Sequence, residues 1–380
     1  AAITQEHPLQ AFSPRYFARP AGAQAGADGL FTYAEEWQGI HATALGAGND
    51  GMHALPALAP EVPLTLRALQ DFALHPVPAF FRQRLRVYFV DEDLTSQDEE
   101  LFAPDGLQAW QLQARLLGEV QPWLEKHLPS ERKADAQIAA QLTQAVARVQ
   151  REGLLPLQAF AECAAEPAMK VAQRSLQCYG NALRSWPQAN DEALALRYQD
   201  AAMGLEVADW LRGLRWSADG QQAARISLSP GRLHSGKSVR YERLVRSWVE
   251  HLAWHVAGQP VTTVVCTESG VAVFPVLGNG AALAIWQHLL RLWQQGMRAP
   301  LPIAARTAIA MLVQELPEAQ IATLYDDSYG GMGELQRWPD LARVFPTFDS
   351  LVSAGLEATA QELYGPMLEH VKQVNGEHAQ

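Results

Sequence analysis

The stretch Leu205-Glu206-Val207-Ala208-Asp209-Trp210-Leu211-Arg212-Gly213-Leu214-Arg215-Trp216, followed after Asp219-Gly220 by Ala223-Ala224-Arg225-Ile226-Ser227-Leu228-Ser229, decides the fold class. Apolar residues alternate on both sides of a strong turn dipeptide, which predicts two antiparallel strands joined as a hairpin. Downstream, Leu244, Val245, Trp248, Leu252 and His255 recur at helical spacing and predict a helix from about Val239 to Val256. A second hairpin is expected from Val261–Thr267 and Val271–Phe274, turning at Ser269-Gly270. A helix over Ala281–Gln295, glycines at 330, 331 and 333, and helical segments to the C-terminus complete this half. Hairpin–helix–hairpin units of this kind predict an α/β domain with a small mixed sheet flanked by helices.

Upstream the texture is helical. Leu66, Leu69, Phe72 and Ala73 share a helix face, Pro76 breaks or restarts the helix, and Phe80, Phe81, Leu85 and Tyr88 make a second apolar face. Arg82, Arg84 and Arg86 are spread around that face, and an acidic turn runs from Asp91 to Glu100. Further helices are expected at Leu107–Leu117, Ala134–Val149 and Leu157–Arg174. From Ala1 to about Pro60 the chain is rich in Gly, Pro and Ala but carries Phe12, Tyr16, Phe17, Phe31, Tyr33 and Trp37. It reads as an extended segment, 1–60, anchored by aromatic residues. The expected division is therefore this segment and a domain over 61–380, helical in 61–200 and sheet-containing in 201–380.

Composition narrows the function classes. In 380 residues, 48 % are hydrophobic and 19 % charged, as in ordinary globular proteins. No run approaches the roughly 18 apolar residues of a membrane span, so no membrane partner is expected. No secretory signal is visible at the N-terminus, which begins as though cut from a longer chain. The three cysteines, Cys163, Cys178 and Cys266, are too few and too scattered for a four-cysteine cluster and suit free thiols in a reducing cytoplasm. A net charge of −11 argues against nucleic-acid binding over the whole surface but leaves room for a local basic patch. Arg232, Lys237, Arg240, Arg243 and Arg246, opposed only by Glu242, form that patch in the sequence.

Several motifs compete for attention. Gly231 to Ser238 matches the phosphate-loop pattern GxxxxGK(S/T), in which backbone amides, Lys237 and Ser238 would hold a nucleotide and its Mg²⁺. Three features oppose it. The preceding Arg225–Ser229 alternates as a one-sided strand, it pairs antiparallel with its predecessor, and Val264–Glu268 lacks the expected Asp at a metal-ligating strand end. His251 and His255 share a helix face at zinc-like spacing, but without the zincin glutamate they read as ordinary core or surface histidines. Gly278-Asn279-Gly280 reads as a turn, and Asp326-Asp327 as a solvated one.

Ordered stretches across nearly the whole chain resemble the gamma-subunit family of exodeoxyribonuclease V, the RecC family. They are His7-Pro8-Leu9-Gln10 with Phe12-Ser13, Phe31-Thr32-Tyr33-Ala34 with Glu36-Trp37, and Phe72 through Phe89 (FALHPVPAFFRQRLRVYF). Gly153-Leu154-Leu155-Pro156, Trp248-Val249-Glu250-His251-Leu252 and Gly296-Met297-Arg298-Ala299-Pro300-Leu301 follow in the same order. The likeness is to the C-terminal third of that subunit. It implies a PD-(D/E)xK nuclease-like fold, DNA as a ligand, the beta and alpha subunits of a helicase–nuclease as partners, and a role in double-strand break repair and recombination. In active relatives an Asp on one hairpin strand and a (D/E)xK tripeptide on the next bind Mg²⁺. Laid on this hairpin, the pattern puts Trp216 near the Asp and Ser227, Leu228 and Ser229 near the tripeptide, so the implied catalytic and metal sites are degenerate and no cofactor is expected. His75 stands where some related nucleases carry a cluster cysteine. The same resemblance implies an element that wedges a duplex apart, with the Ser269-Gly270 turn or the Tyr325–Trp338 loop as candidates. Tyr329 and Trp338 would stack there on an unpaired base. The 11 tryptophans also predict an aromatic-rich docking surface.

Overall fold

The computed structural model describes residues 54–89, 106–128, 130–152, 159–235, 238–313, 316–326 and 333–375, with His7, Pro8, Ser13 and Tyr16 near the N-terminus. The chain divides into two compact units, Ala1–Ala54 and Leu55–Gln380. In the first, the Tyr16 amide donates to the Ser13 carbonyl at 3.0 Å and its hydroxyl to the Pro8 carbonyl at 3.0 Å. The other aromatic anchors expected there lie outside the described residues.

In the larger unit, helix α1 (Leu66–Leu74) buries Leu66, Leu69, Phe72 and Ala73, the face predicted from spacing. It ends at His75 because the next residue is proline, which disfavours helical backbone before it. Helix α2 (Pro76–Ala79) restarts the chain and continues as one π-helical stretch, Phe80–Leu85, closed by Arg86 at φ 58°. Phe80 and Phe81 are buried, but Leu85 and Tyr88 are exposed, so only half of the predicted second face enters the core. Helices α3 (Gly106–His127), α4 (Glu131–Arg151) and α5 (Ala159–Ser185) pack around Leu116, Leu124, Ile138, Leu142, Leu176 and Leu183. α3 and α5 run well beyond their predicted ends, α3 through Pro122 to His127 and α5 to Ser185.

The strands correct the hairpin reading. β1 (Gln188–Asn190), β2 (Leu194–Asp200), β3 (Leu205–Leu211), β4 (Leu214–Trp216) and β5 (Ala223–Leu228) follow one another. The single strand predicted over 205–216 is broken at Gly213, whose φ of 81° suits only glycine well. Its second half, β4, pairs antiparallel with β5 as expected, Trp216 opposite Ala223. Its first half, β3, folds back on β2 instead, Leu205 opposite Asp200, and forms a separate two-stranded sheet.

After β5 come β6 (His234–Ser235), β7 (Ser238–Val239), a 3-10 turn at Tyr241–Leu244 and helix α6 (Val245–Val256). The helix starts later than predicted but buries the predicted Leu244, Val245, Trp248, Leu252 and His255. β8 (Thr262–Thr267) and β9 (Gly270–Phe274) pair through Glu268-Ser269, one residue before the expected turn. Then follow α7 (Asn279–Gly296), α8 (Ala305–Val313), α9 (Glu318–Asp326), α10 (Glu334–Arg337), α11 (Pro339–Val344), α12 (Phe348–Ser353), α13 (Leu356–His370) and β10 (Lys372–Asn375).

The main sheet has the order β1-β4-β5-β8-β9-β10. β5 and β8 are parallel, joined across α6, and the other neighbours are antiparallel, so the sheet is mixed and the class α/β, as expected. Successive strand residues point to opposite faces. Ile226, Val264 and Cys266 belong to the core of α3–α5, whereas Val265, Ala272 and Phe274 belong to a larger core with α1, α6 and α7.

Candidate nucleic-acid interface

Helix α1 carries the site at its far end. Its N-terminus is fixed twice: Thr65 Oγ1 accepts the Ala68 amide at 3.1 Å, and Asp209 of β3 accepts the Leu66 amide at 2.8 Å. At the other end, Asp71 binds Arg67 at 3.0 Å and Arg246 of α6 at 2.6 Å. His75, the last cap, lies against Trp338 with ring centroids 4.2 Å apart, and the Arg82 guanidinium sits over the same indole at 5.9 Å. Burial, then the charges of Arg246, Arg337 and Arg82, lower the His75 pKa to about 4, against the opposing pull of Asp71. The ring is therefore neutral at pH 7, wedged among guanidinium groups.

The basic run after β7 faces the same place. Arg243 donates to the Pro230 carbonyl at 3.3 Å, and burial, with Arg240 and Arg337 near it, lowers its pKa. Its guanidinium occupies the room beside Gly231, which has φ 88°, so a Cβ there would collide with Arg243 as well as strain the backbone. Glu242 is pushed up by burial and drawn down by Arg240, Arg243 and Arg306. Six arginines from five segments thus form a chain of neighbours: Arg82 over Trp338, Arg246 and Arg337 beside His75, and Arg240, Arg243 and Arg306 about Glu242. Asp71, Glu242, Glu334 and Asp340 are the acids that interact with members of the group.

Glu334 holds Trp338 in position. Its buried carboxylate accepts the amides of Arg306 and Thr307 at 3.1 and 2.8 Å and the Thr307 hydroxyl at 2.7 Å. It is the missing N-terminal cap of α8, supplied from α10. One turn later, the Trp338 amide donates back to the Glu334 carbonyl at 3.0 Å. Burial pushes the Glu334 carboxyl up, offset by those donors and by Arg306.

Of the predicted contact residues, Arg240, Arg243, Arg246 and Trp338 are brought together. Arg232 turns instead to Glu268, an ion pair at the β8–β9 turn. Lys237 and Tyr329 lie outside the described residues. His75, Arg82, Arg306, Glu334 and Arg337 were not predicted as site residues. They come from separate segments, and nothing local in the sequence marks them. The β8–β9 turn expected as a wedge is tied down: Ser269 Oγ accepts the amides of Leu233 and His234 at 2.9 and 3.2 Å.

The phosphate-loop match does not fold as one. Ser235 pairs with Ser238 in a tight β6–β7 hairpin, and the helix begins only at Val245, so Ser238 does not open a helix. β5 pairs antiparallel with its predecessor β4, as expected, and parallel with β8 on its other side. His251 and His255 are core residues. His251 Nδ1 meets Thr263 Oγ1 at 2.9 Å, while His255 Nδ1 faces the His251 carbonyl at 2.8 Å and its Nε2 accepts the Leu277 amide at 3.0 Å.

Trp216 and Ser227, the positions on which the resemblance lays the Asp and the start of the tripeptide, do not pair across the hairpin. Trp216 faces Ala223, four residues and roughly 13 Å of strand away from Ser227. The other facing pairs of this hairpin are Arg215 with Ala224 and, at the end of the ladder, Leu214 with Arg225. The Arg225 guanidinium lies against Gly213 and binds Glu250 of α6 at 2.8 Å. Ser227 Oγ reaches only the Val264 carbonyl, at 3.4 Å, and the Ser229 amide the Cys266 carbonyl, at 2.9 Å.

A family model described as the RecC C-terminal domain matches residues 61–316. The chain belongs to the RecC C-terminal domain family. It is also similar to the RecBCD enzyme subunit RecC of Escherichia coli (strain K12), 26 % identical over 330 residues that cover 86 % of this chain and 25 % of that protein. The chain therefore spans about a quarter of the length of the curated relative it matches. Five of the six clustered arginines, all but Arg337, fall inside the residues matched to the RecC family. No described helix is long and apolar enough to cross a membrane.

Proposed function

We propose that this chain is a DNA-handling and subunit-docking module of a RecBCD-type helicase–nuclease acting in double-strand break repair and recombination, in the cytoplasm, with the beta and alpha subunits as partners. The observation that carries the proposal is the run of six arginines from Arg82 at Trp338, past His75, to Glu242 in a molecule of net charge −11. An acidic surface repels a polyanion except where cations outnumber acids, and guanidinium groups hold phosphates without reading sequence. Trp338, half-buried with His75 and Arg82 against its ring, is the better wedge candidate because the β8–β9 turn is anchored.

The chassis, 61–380, is read as a PD-(D/E)xK nuclease-like domain that no longer cuts. The order α5-β1-β4-β5-α6-β8, with three antiparallel strands and a parallel fourth after a helix crossover, supports that fold. A metal-binding pair would face across the β4–β5 hairpin, where Leu214 stands opposite Arg225, Arg215 opposite Ala224 and Trp216 opposite Ala223. None of these side chains offers a carboxylate to Mg²⁺, and the Arg225 guanidinium already supplies positive charge beside Glu250, so the residues do not fit the metal of active relatives.

The test is charge reversal of Arg240, Arg243 and Arg246 to Glu in the assembled complex. DNA affinity is expected to fall, and the slope of log affinity against log salt to flatten by about 0.9 for each phosphate that the variant no longer neutralises. Unchanged binding and slope would reduce the cluster to a solvated face.

A further inference from the structure

We propose that the outer face of the β2–β3 hairpin is a second platform for single-stranded nucleic acid, with Trp210 stacking on a base and Arg197 and Arg212 holding the flanking phosphates. The alternation along both strands defines that face. Leu196, Leu205, Val207 and Leu211 point inward and are buried in the main core. Ala195, Arg197 and Gln199 of β2, and Glu206, Ala208 and Trp210 of β3, therefore point outward.

Trp210 is 60 % exposed, among the most exposed large hydrophobic residues described. Its cross-strand partner is Ala195, and Ala208 is its neighbour two residues along. Methyl groups leave the indole faces uncovered, where a larger partner would have covered one. Arg197, opposite Ala208, is its diagonal neighbour, about 7–8 Å away. Arg212 follows two residues after Trp210, just beyond the end of β3. Both arginines are exposed, and neither makes a hydrogen bond or ion pair with another described residue.

Charge and composition choose the occupant. Trp210 is the one large apolar side chain on this face, and protein-binding patches centre on contiguous apolar and aromatic cores. One aromatic ring between two free guanidinium groups is instead the pattern of a base-stacking site with phosphate contacts. Glu206, paired with Gln199, is the acid on the outer face within the two strands, at the end away from Arg212, while the exposed Asp191 and Glu192 precede β2 at the Arg212 end. The inference takes DNA as the polymer from the reading above, but none of its residues belongs to the Trp338 cluster.

The experiment measures binding of fluorescein-labelled dT20 and of a blunt duplex by the 380-residue chain, with Trp210→Ala, Trp210→Phe and Arg197→Glu/Arg212→Glu set against Arg246→Glu. Trp210→Ala is expected to weaken dT20 binding about five- to a hundredfold, Trp210→Phe to keep most of the affinity, and the double arginine variant to flatten the salt slope. Duplex binding stays as in the parent. Loss with Trp210→Ala but none with Arg246→Glu would overturn the Trp338 cluster and leave this platform standing; the reverse would overturn the platform alone. Parental dT20 binding by Trp210→Ala together with a change in sedimentation would assign the face to protein contact and overturn the proposal. A parent that fails to bind dT20 at low salt overturns it too.

Discussion

The His75 imidazole and the Trp338 indole lie 4.2 Å apart with their planes inclined at 43°, although one closes helix α1 and the other follows α10 far along the chain. This contact joins the two halves of the arginine cluster. It also makes a neutral histidine part of a cationic surface.

That neutrality has a consequence for stability. The folded pKa of His75, about 4, lies below its ordinary 6.5, so the unfolded chain takes up the proton first. Between those values the unfolded state binds more protons, and stability rises with pH. His75 contributes fully above about pH 6.5 and loses its contribution, on the order of 3 kcal/mol, as pH falls toward 4. His251, lowered to about 3 by burial and by His255 and His370, acts in the same direction. Urea midpoints at pH 5 and pH 7.5 should therefore differ less in His75→Asn than in the parent, without becoming equal.

Removing the shared cap should unseat the aromatic platform. Glu334→Ala strips three donors at the start of α8 of their acceptor and is expected to cost about 1–3 kcal/mol, while Glu334→Gln, which keeps one oxygen, costs less. Thermal midpoints give the ranking. Weaker dT20 binding in Glu334→Gln at a temperature where the variant is fully folded would tie the cap to the position of Trp338.

Gly231→Ala is expected to destabilise the chain by at least about 1 kcal/mol, because φ 88° is strained for any side chain and the new methyl displaces Arg243. Arg243→Ala should relieve part of that cost. A double-mutant cycle on denaturant midpoints checks the coupling.

Sequence patterns revealed what local chemistry controls. The buried faces of α1 and α6, the restart at Pro76, the β4–β5 and β8–β9 hairpins and the basic run Arg240–Arg246 were all visible. The break at Gly213 was not, because Leu205–Trp216 alternates through it as one strand would, and only the backbone turn sends β3 back to β2. The cluster was half legible. Trp338 and three arginines stood out by type, but Arg82, Arg306 and Arg337 join them through tertiary packing, and Glu334 caps a helix whose own sequence gives no cap.

The last prediction concerns the hairpin where active relatives place their metal. Arg225 and Glu250 are only 25 % and 22 % exposed, and losing one leaves the other charge short of a partner in partly desolvated surroundings. Arg225→Ala and Glu250→Gln are each expected to cost about 1–3 kcal/mol, and the double variant less than the sum, since neither charge is then left alone. Neither single variant should gain Mg²⁺-dependent cleavage of linear duplex DNA, because Leu214 still faces the position and offers no oxygen. Denaturant midpoints test the coupling, and a nuclease assay with and without EDTA tests the chemistry. Cleavage that appears in Arg225→Ala, needs Mg²⁺ and survives further purification would mean that Arg225 blocks a working metal site, and the inactive-hairpin reading would be wrong.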